Sequence, residues 1–291
     1  MKIHSEWNNT RYNSAMNLRT PLRYPGGKRK LADFVDRLIS SNGLTGCEYA
    51  EPYAGGAGLA VELLRRGVVG QLWLNDIDKG IASFWKLVLK QPDLLCEMIE
   101  KTEVTIEEWN RQKDLAQNED TVLRGFATFF LNRTNRSGII KGGVIGGKGQ
   151  SGTWKLDCRF NKSELISRIQ AISKLGDRIH FFNMDALEFL ASAVPQQLKT
   201  ILFNLDPPYY VKGAGLYTNS YNDLDHSKVS SFIRSESRPW IVSYDNHEFI
   251  RKIYSGCEFI EYDLTYTAQR KSVGKEIMFF GNIKKIPQTV R

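Results

Sequence analysis

Asp206, Pro207, Pro208 and Tyr209 close the apolar run Thr200-Ile-Leu-Phe-Asn-Leu205, placing a carboxylate, two residues without a backbone N–H and an aromatic ring in consecutive positions. The run predicts a strand, and ligands of open α/β sheets bind at the carboxyl ends of strands. Two prolines stiffen the turn and remove two donors, which leaves the Asp206 carboxylate and the Pro207 carbonyl as acceptors. An amino group has two N–H donors. Paired side-chain and backbone acceptors can hold such a nitrogen, aim its lone pair at an electrophile and stabilise positive charge as it develops. Tyr209 then supplies a flat face for stacking a base. Asp-Pro is also good turn chemistry, so an ordinary strand-ending turn is the alternative for the tetrapeptide taken alone.

A second constellation is Glu51-Pro-Tyr-Ala-Gly55-Gly56-Ala-Gly58, after one expected strand and at the start of a helix. Glycines there let the backbone turn sharply and approach a ligand closely. The spacing is not G-x-G-x-x-G, which lowers a nicotinamide reading. Asn75-Asp76-Ile-Asp78 ends the next strand, where an acidic residue typically holds a ribose hydroxyl pair; capping of the following helix is the alternative for Asp76. A third, Leu22-Arg-Tyr24-Pro25-Gly26-Gly27-Lys28, precedes the sheet and could close over a small charged ligand, with Lys28 suited to a carboxylate.

The elements that must position these groups follow from apolar periodicity. Leu31, Phe34, Val35, Leu38 and Ile39 predict a helix after the Tyr24 loop. Strands at 47–50 and 71–75 and helices at 59–66 and 79–90 then read as the opening of a doubly wound α/β sheet. From Arg178 the alternation resumes: a strand to Phe182, a helix at 186–193, strands at 201–205 and 240–244, and helices at 225–233 and 248–254. Two further strands near 259–266 and 277–281 are expected to be antiparallel at one edge. Between the two halves, 92–133 reads as helical. Seven glycines from Gly138 to Gly152, interleaved with Lys141 and Lys148, read as a flexible basic loop, and a helix stripe runs from Leu165 to Leu175. The expected organisation is an arm (1–20), a catalytic domain in two pieces (21–91 and 176–291) and an insertion (92–175).

The formal charge of +8 is local. Residues 124–168 carry nine Lys and Arg against two acidic residues, Asp157 and Glu164, and the rest of the chain is close to neutral. That points to a polyanion bound by the insertion, against a merely solvated loop. The four cysteines, Cys47, Cys96, Cys158 and Cys257, include no C-x-x-C and read as reduced packing residues. Nothing approaches the roughly 20 apolar residues of a membrane span, and no secretion signal opens the chain, so a cytoplasmic location is expected.

Taken in order, Tyr24-Pro-Gly-Gly-Lys28, Glu51-Pro-Tyr-Ala-Gly-Gly-Ala-Gly58, Asn75-Asp-Ile-Asp78, Phe130-Leu-Asn-Arg133 and Asp206-Pro-Pro-Tyr209 resemble the Dam-type, D12-class DNA adenine-N6 methyltransferases in their group alpha arrangement. The resemblance runs from Pro21 to about Ile283. It implies a Rossmann-like α/β methyltransferase sheet with an inserted, mainly helical, basic target-recognition lobe, and S-adenosylmethionine as cofactor. It also implies that Tyr24 and Lys28 contact the methionine end of that cofactor, that Gly55 lies beside it, that Asp76 holds the ribose and that Asp185 reaches its adenine ring. Asp206, Pro207, Pro208 and Tyr209 engage the target base, Asp206 also bordering the cofactor. Relatives often carry Trp where Tyr24 stands, and the stretch Thr134–Phe160 departs from the GATC-specific pattern, which leaves the recognition sequence open.

The mechanism so implied is base flipping and direct in-line methyl transfer in double-stranded DNA, without metal, by a monomer or weak dimer. The residues expected to contact DNA are Arg23, Asn132, Arg133, Asn135, Arg136, Lys141 and Lys148. Arg270-Lys-Ser-Val-Gly-Lys275 either adds to this surface or forms a solvated hairpin. Cytosine-N4 methylation is the nearest rival, disfavoured by Asp rather than Ser at 206, and a catalytically inactive DNA-binding relative is the rival from another class.

Overall fold

The computed structural model describes residues 19–23, 28–198, 200–211, 221–266, 272–288 and 290. Tyr24 and most of the expected arm lie outside the described residues, as do Arg270 and Lys271. Helix α1 (Ala32–Ser41) follows a tight turn at Lys28–Leu31. Then come β1 (Glu48–Glu51), α2 (Gly58–Arg65), β2 (Leu72–Asn75) and α3 (Lys79–Lys90). The insertion forms α4 (Pro92–Lys101), α5 (Ile106–Leu115), α6 (Thr121–Thr134) and α7 (Lys162–Ser173). The second half contributes β3 (Ile179–Phe182), a short α8 (Ala186–Glu188) running into a wider turn, β4 (Ile201–Leu205), α9 (Asp223–Ser235), β5 (Trp240–Asp245), α10 (Glu248–Ile253), β6 (Glu258–Tyr266) and β7 (Ser272–Gly281).

The seven strands form one sheet in the order β3-β2-β1-β4-β5-β7-β6. The first five are parallel, and β7 runs antiparallel to both β5 and β6. This is a doubly wound, Rossmann-like arrangement whose strand order reverses between β1 and β4, the crevice in which such sheets bind ligands. Parallel strands covered on both faces are mostly apolar, and all five residues of β4 are buried, with Asn204 its one polar residue. Alternate residues serve opposite faces: Tyr49 and Leu202 belong to one apolar cluster, Ala50 and Phe203 to the other.

Residues 92–175 share their core with the sheet. Phe129 of α6 stacks on Phe84 of α3 at 5.8 Å, and Leu95, Ile99, Trp109, Phe126, Leu165 and Ile169 join the same buried cluster as Phe34 and Leu72. The basic glycine loop is folded, where the glycine content predicts flexibility. Gln150 gathers it, donating to the carbonyls of Ile145 and Gly147 and accepting from the Leu156 amide, while Val144, Leu156 and Phe160 anchor it in the core.

Candidate active site

Three loops meet at the carboxyl ends of β2, β1 and β4. After β1, Gly55 and Ala57 both take left-handed backbone conformations, φ +48° and +46°, which bend the chain sharply into α2. The Gly55 amide donates to Asp76 Oδ2 at 2.8 Å and its carbonyl accepts from Trp85 Nε1 at 2.9 Å, so the turn is tied to the end of β2 and to α3. Asp76 Oδ1 accepts from the Asp78 amide. Helix α3 is capped by Asp78, whose carboxylate accepts from the Gly80 and Ile81 amides. The capping alternative for Asp76 therefore falls to its neighbour. Burial pushes the Asp76 carboxyl up to about 6, against the two amide hydrogen bonds that lower it. Each of its oxygens retains a lone pair, the acceptor set that a ribose diol needs. Asp185 is exposed and caps α8 through the Leu187 and Glu188 amides.

Asp206 follows β4 on the other side of the switch point. Its side chain is 28% exposed, with Oδ1 buried and 3.4 Å from Lys28 Nζ, and among the described residues nothing is hydrogen-bonded to that oxygen. Burial pushes the carboxyl up to about 6, tempered by Lys28 and reinforced by Glu276. Asp245, at the end of β5, holds the turn from outside by accepting the Tyr210 and Val211 amides at 2.8 and 2.9 Å. Tyr209 is 4% exposed. It is not laid open as a stacking face, because its hydroxyl is tethered, donating to Glu276 Oε1 at 2.5 Å and accepting from Lys28 at 2.8 Å.

Lys28 thus lies at the Asp206 turn. Its ammonium pairs with Glu276 Oε2 at 2.5 Å and reaches the Tyr262 hydroxyl at 3.4 Å. Burial alone would lower its pKa, but Asp206, Tyr262 and Glu276 outweigh that and hold it well above the ordinary lysine value. For Glu276 burial would raise the pKa; Lys28 and the hydrogen bonds from Tyr209 and Tyr262 bring it below the ordinary value.

Glu51 lies between the two halves of the site. It accepts from the Tyr49 hydroxyl at 3.0 Å and from Asn204 Nδ2 at 3.2 Å, and burial pushes its carboxyl up to about 8. Its folded pKa exceeds the free value, so the stability it lends is complete below about pH 4 and is lost as pH rises through about 8. Glu51→Gln should therefore be more stable than wild type at pH 9 by about 2 kcal/mol or more, and not at pH 5, in paired thermal melts.

The sequence pattern of the D12 class N6 adenine-specific DNA methyltransferases matches residues 24–268. The chain belongs to that family. The family's description names enzymes that methylate adenine in DNA at N6. No curated protein matches the chain. Among solved structures, the crystal structure of TrmN from Thermus thermophilus aligns at a TM-score of 0.36 and 9% identity, covering 85% of this chain and 48% of that one, so the chain spans about half its length.

The residues of this D12-class chain that the sequence led us to expect at DNA divide into two groups. Arg136, Lys141 and Lys148 are exposed on the basic loop. Asn132 and Asn135 are fully buried. Asn132 clamps the Arg23 backbone, accepting its amide at 2.6 Å and donating to its carbonyl and that of Gly138; Asn135 accepts from Trp109 Nε1 and donates to the Ile139 and Ile140 carbonyls. With every polar atom of these amides engaged, they shape the lobe and do not face a partner. Gly138 allows the clamp: at φ +78°, a Cβ there would meet the Arg23 carbonyl at 2.5 Å. Arg133 is 7% exposed and donates to the Arg159 and Pro21 carbonyls, again a scaffold position. Asn135→Ala should lower stability by about 3 kcal/mol, because it leaves an indole N–H and two carbonyls without partners; urea unfolding measures this.

Arg23 is half-buried and donates to the Asn135 carbonyl. Burial and the Arg159 charge depress its pKa; burial, Arg23 and Arg168 do the same to Arg133. Mutual repulsion of this kind is relieved by an arriving anion. Trp154, 65% exposed with Arg159 over its ring at 5.9 Å, completes the surface. Neither Trp154 nor Glu276, Tyr262 and Asp245 stands out in the sequence. Trp154 lies inside the charged segment and could have been found there; the other three are ordinary strand residues until the sheet is assembled.

Proposed function

We propose that this chain transfers the methyl group of S-adenosylmethionine to the N6 amino group of an adenine flipped out of double-stranded DNA. The observation that carries the reading is the Asp206 Oδ1 acceptor: buried, charged against Lys28, and without a hydrogen bond among the described residues, at the switch point of the sheet. A buried acceptor left open is costly unless a donor arrives to use it. An exocyclic amino group is such a donor, and the Pro207 carbonyl takes its second N–H.

The cofactor's chemistry fits the groups at the neighbouring strand ends. When bound, S-adenosylmethionine supplies a methyl group on a positively charged sulfur. Asp76 would hold its ribose hydroxyls beside the Gly55 turn, with Asp185 at the adenine ring and Tyr24 at the methionine end; Lys28, expected there from the sequence, instead spends its three N–H groups on Tyr209, Tyr262 and Glu276. Asp206 and the Pro207 carbonyl hold the target nitrogen, aim its lone pair and stabilise the charge it gains, so attack is direct and in line. Tyr209, fixed through its hydroxyl, gives its ring to the base once the site opens. The Arg136, Lys141 and Lys148 loop, with Arg23 and Trp154, meets the duplex and supplies phosphate and base contacts.

The test is incubation with radiolabelled S-adenosylmethionine and mixed-sequence duplex DNA, followed by nucleoside analysis, with Asp206→Ala as control. Label in N6-methyladenine that disappears in the variant is the expected result. Label in N4-methylcytosine, or duplex binding with no transfer, overturns it.

A further inference from the structure

We propose that Glu276 is a positioning residue of the methyl-transfer site, holding the Lys28 ammonium and the Tyr209 hydroxyl on its own two oxygens so that Asp206 stays open to a substrate amino group. This rests on the function proposed above. Lys28 Nζ stands between two carboxylates, 2.5 Å from Glu276 Oε2 and 3.4 Å from Asp206 Oδ1. Tyr209 donates to Glu276 Oε1 at 2.5 Å and Tyr262 to Oε2 at 2.6 Å. The short hydrogen bonds of the cluster thus end on Glu276 and the two hydroxyls, while Asp206 receives the lysine's charge at longer range.

The alternative arrangement shows what Glu276 does. A buried ammonium without its partner moves onto the nearest remaining anion, because an unpaired charge away from water is costly. That anion is Asp206, and a direct Lys28–Asp206 hydrogen bond would occupy the oxygen that the amino nitrogen needs. Glu276 takes the ammonium instead. Its place is set by the antiparallel edge of the sheet: Glu276 on β7 pairs with Asp245 on β5 and with Tyr262 on β6. Directly paired residues share a face. One cross-strand row therefore grips the catalytic turn, Asp245 by its backbone amides and Glu276 by the Tyr209 hydroxyl.

The charged groups acting on Asp206 are Lys28 ahead of α1, Glu51 on β1 and Glu276 on β7, with Tyr209 and Tyr262 hydrogen-bonded to Lys28 and Glu276. Glu51 is neutral in the acid range, its carboxyl having been pushed up to about 8. Glu276→Gln removes a negative charge near Asp206 and releases Lys28 toward it, and both changes favour the ionised carboxylate. The expected result is a plateau kcat at least about 10-fold lower, with the acid limb of the kcat/KM profile displaced to lower pH by about one unit. Thermal melts and S-adenosylmethionine affinity serve as controls for folding. A variant that merely loosened the fold would lose activity without displacing the limb. An unmoved or upward-moved limb, or an unchanged plateau, overturns the role of Glu276.

If Glu276→Gln does not fold, Tyr262→Phe decides the matter with every charge in place. Glu276 Oε2 then loses a neutral donor, so its negative charge near Asp206 is less compensated and the limb moves to higher pH; an unmoved limb overturns the proposal. Wild-type protein that methylates no DNA at any pH refutes the function itself, whereas wild-type transfer with unmoved limbs in the variants refutes only Glu276.

Discussion

Asp206→Ala should lower kcat by about three orders of magnitude and leave duplex DNA affinity unchanged. In the proposed mechanism Asp206 contributes one of the two acceptors that hold the nucleophilic nitrogen, and removing one preorganised electrostatic partner of a developing charge costs roughly 10²- to 10³-fold, or up to about 4 kcal/mol. The proposed source of DNA affinity is the basic loop, on different residues. The same carboxyl sets the acid side of the pH profile. Burial has moved it up to about 6, so kcat/KM should fall below about pH 6 as the acceptor is protonated.

Stability runs the other way. The folded pKa of Asp206 lies above the free value, so the stability associated with its proton is complete below about pH 4 and is lost as pH rises through about 6. Above that, the ionised carboxylate burdens the fold. Asp206→Asn should accordingly melt higher than wild type at pH 8, by about 1–2 kcal/mol after allowing for a side chain that is 28% exposed. The two proteins should converge near pH 4. A site that keeps a charged acceptor without a hydrogen bond is expected to give up stability for activity. A variant that was inactive and also less stable at pH 8 would show that Asp206 holds the fold together and does not await a donor.

The second large effect belongs to the basic loop. Replacing Arg136, Lys141 and Lys148 together by alanine should weaken duplex binding by about 100-fold at 0.1 M salt and reduce the slope of log K against log salt by about 2 to 3. The reason is counterion release: each phosphate that the loop neutralises frees about 0.9 of a condensed cation, and the triple variant neutralises fewer. These side chains are exposed, so the melting temperature should not change. At saturating DNA, kcat should stay within a few-fold of wild type while KM rises. An affinity loss independent of salt would mean that the loop reads bases or shape and does not neutralise phosphates. Arg133 looks equivalent in sequence, but its donors are engaged by the Arg159 and Pro21 carbonyls, so its replacement should act through folding.

Local chemistry made much of this legible in the chain itself. Glycines, prolines and apolar runs act over a few residues, so β1 to β6, the Gly55 turn and the Asp206 turn lie within a residue or two of where periodicity puts them, whereas β7 begins at Ser272, five residues before the expected start. The order of the motifs, with a family pattern across 24–268, is likewise a property of the linear chain. Charge counted along the sequence located the basic insertion. What it could not determine is which polar residues of that insertion face outward: Asn132 and Asn135 look like ideal base readers, and only packing against Arg23, Gly138 and Trp109 shows their amides to be spent internally.

The assembly of the groups around the Asp206 turn was decided by tertiary structure. Lys28 and Glu276 are separated by 248 positions, and Asp206 is distant from both, yet sheet order brings them within one ion-pair distance. Such pairings leave no periodicity, because their partners come from different elements and their energies depend on a low-dielectric interior that exists only once the sheet has closed. The sequence by itself determined the family and the place of its motifs at the strand ends. Only the fold determined that an Asp206 oxygen is buried and open, because only the closed sheet seats Lys28 on Glu276 and leaves Asp206 at longer range.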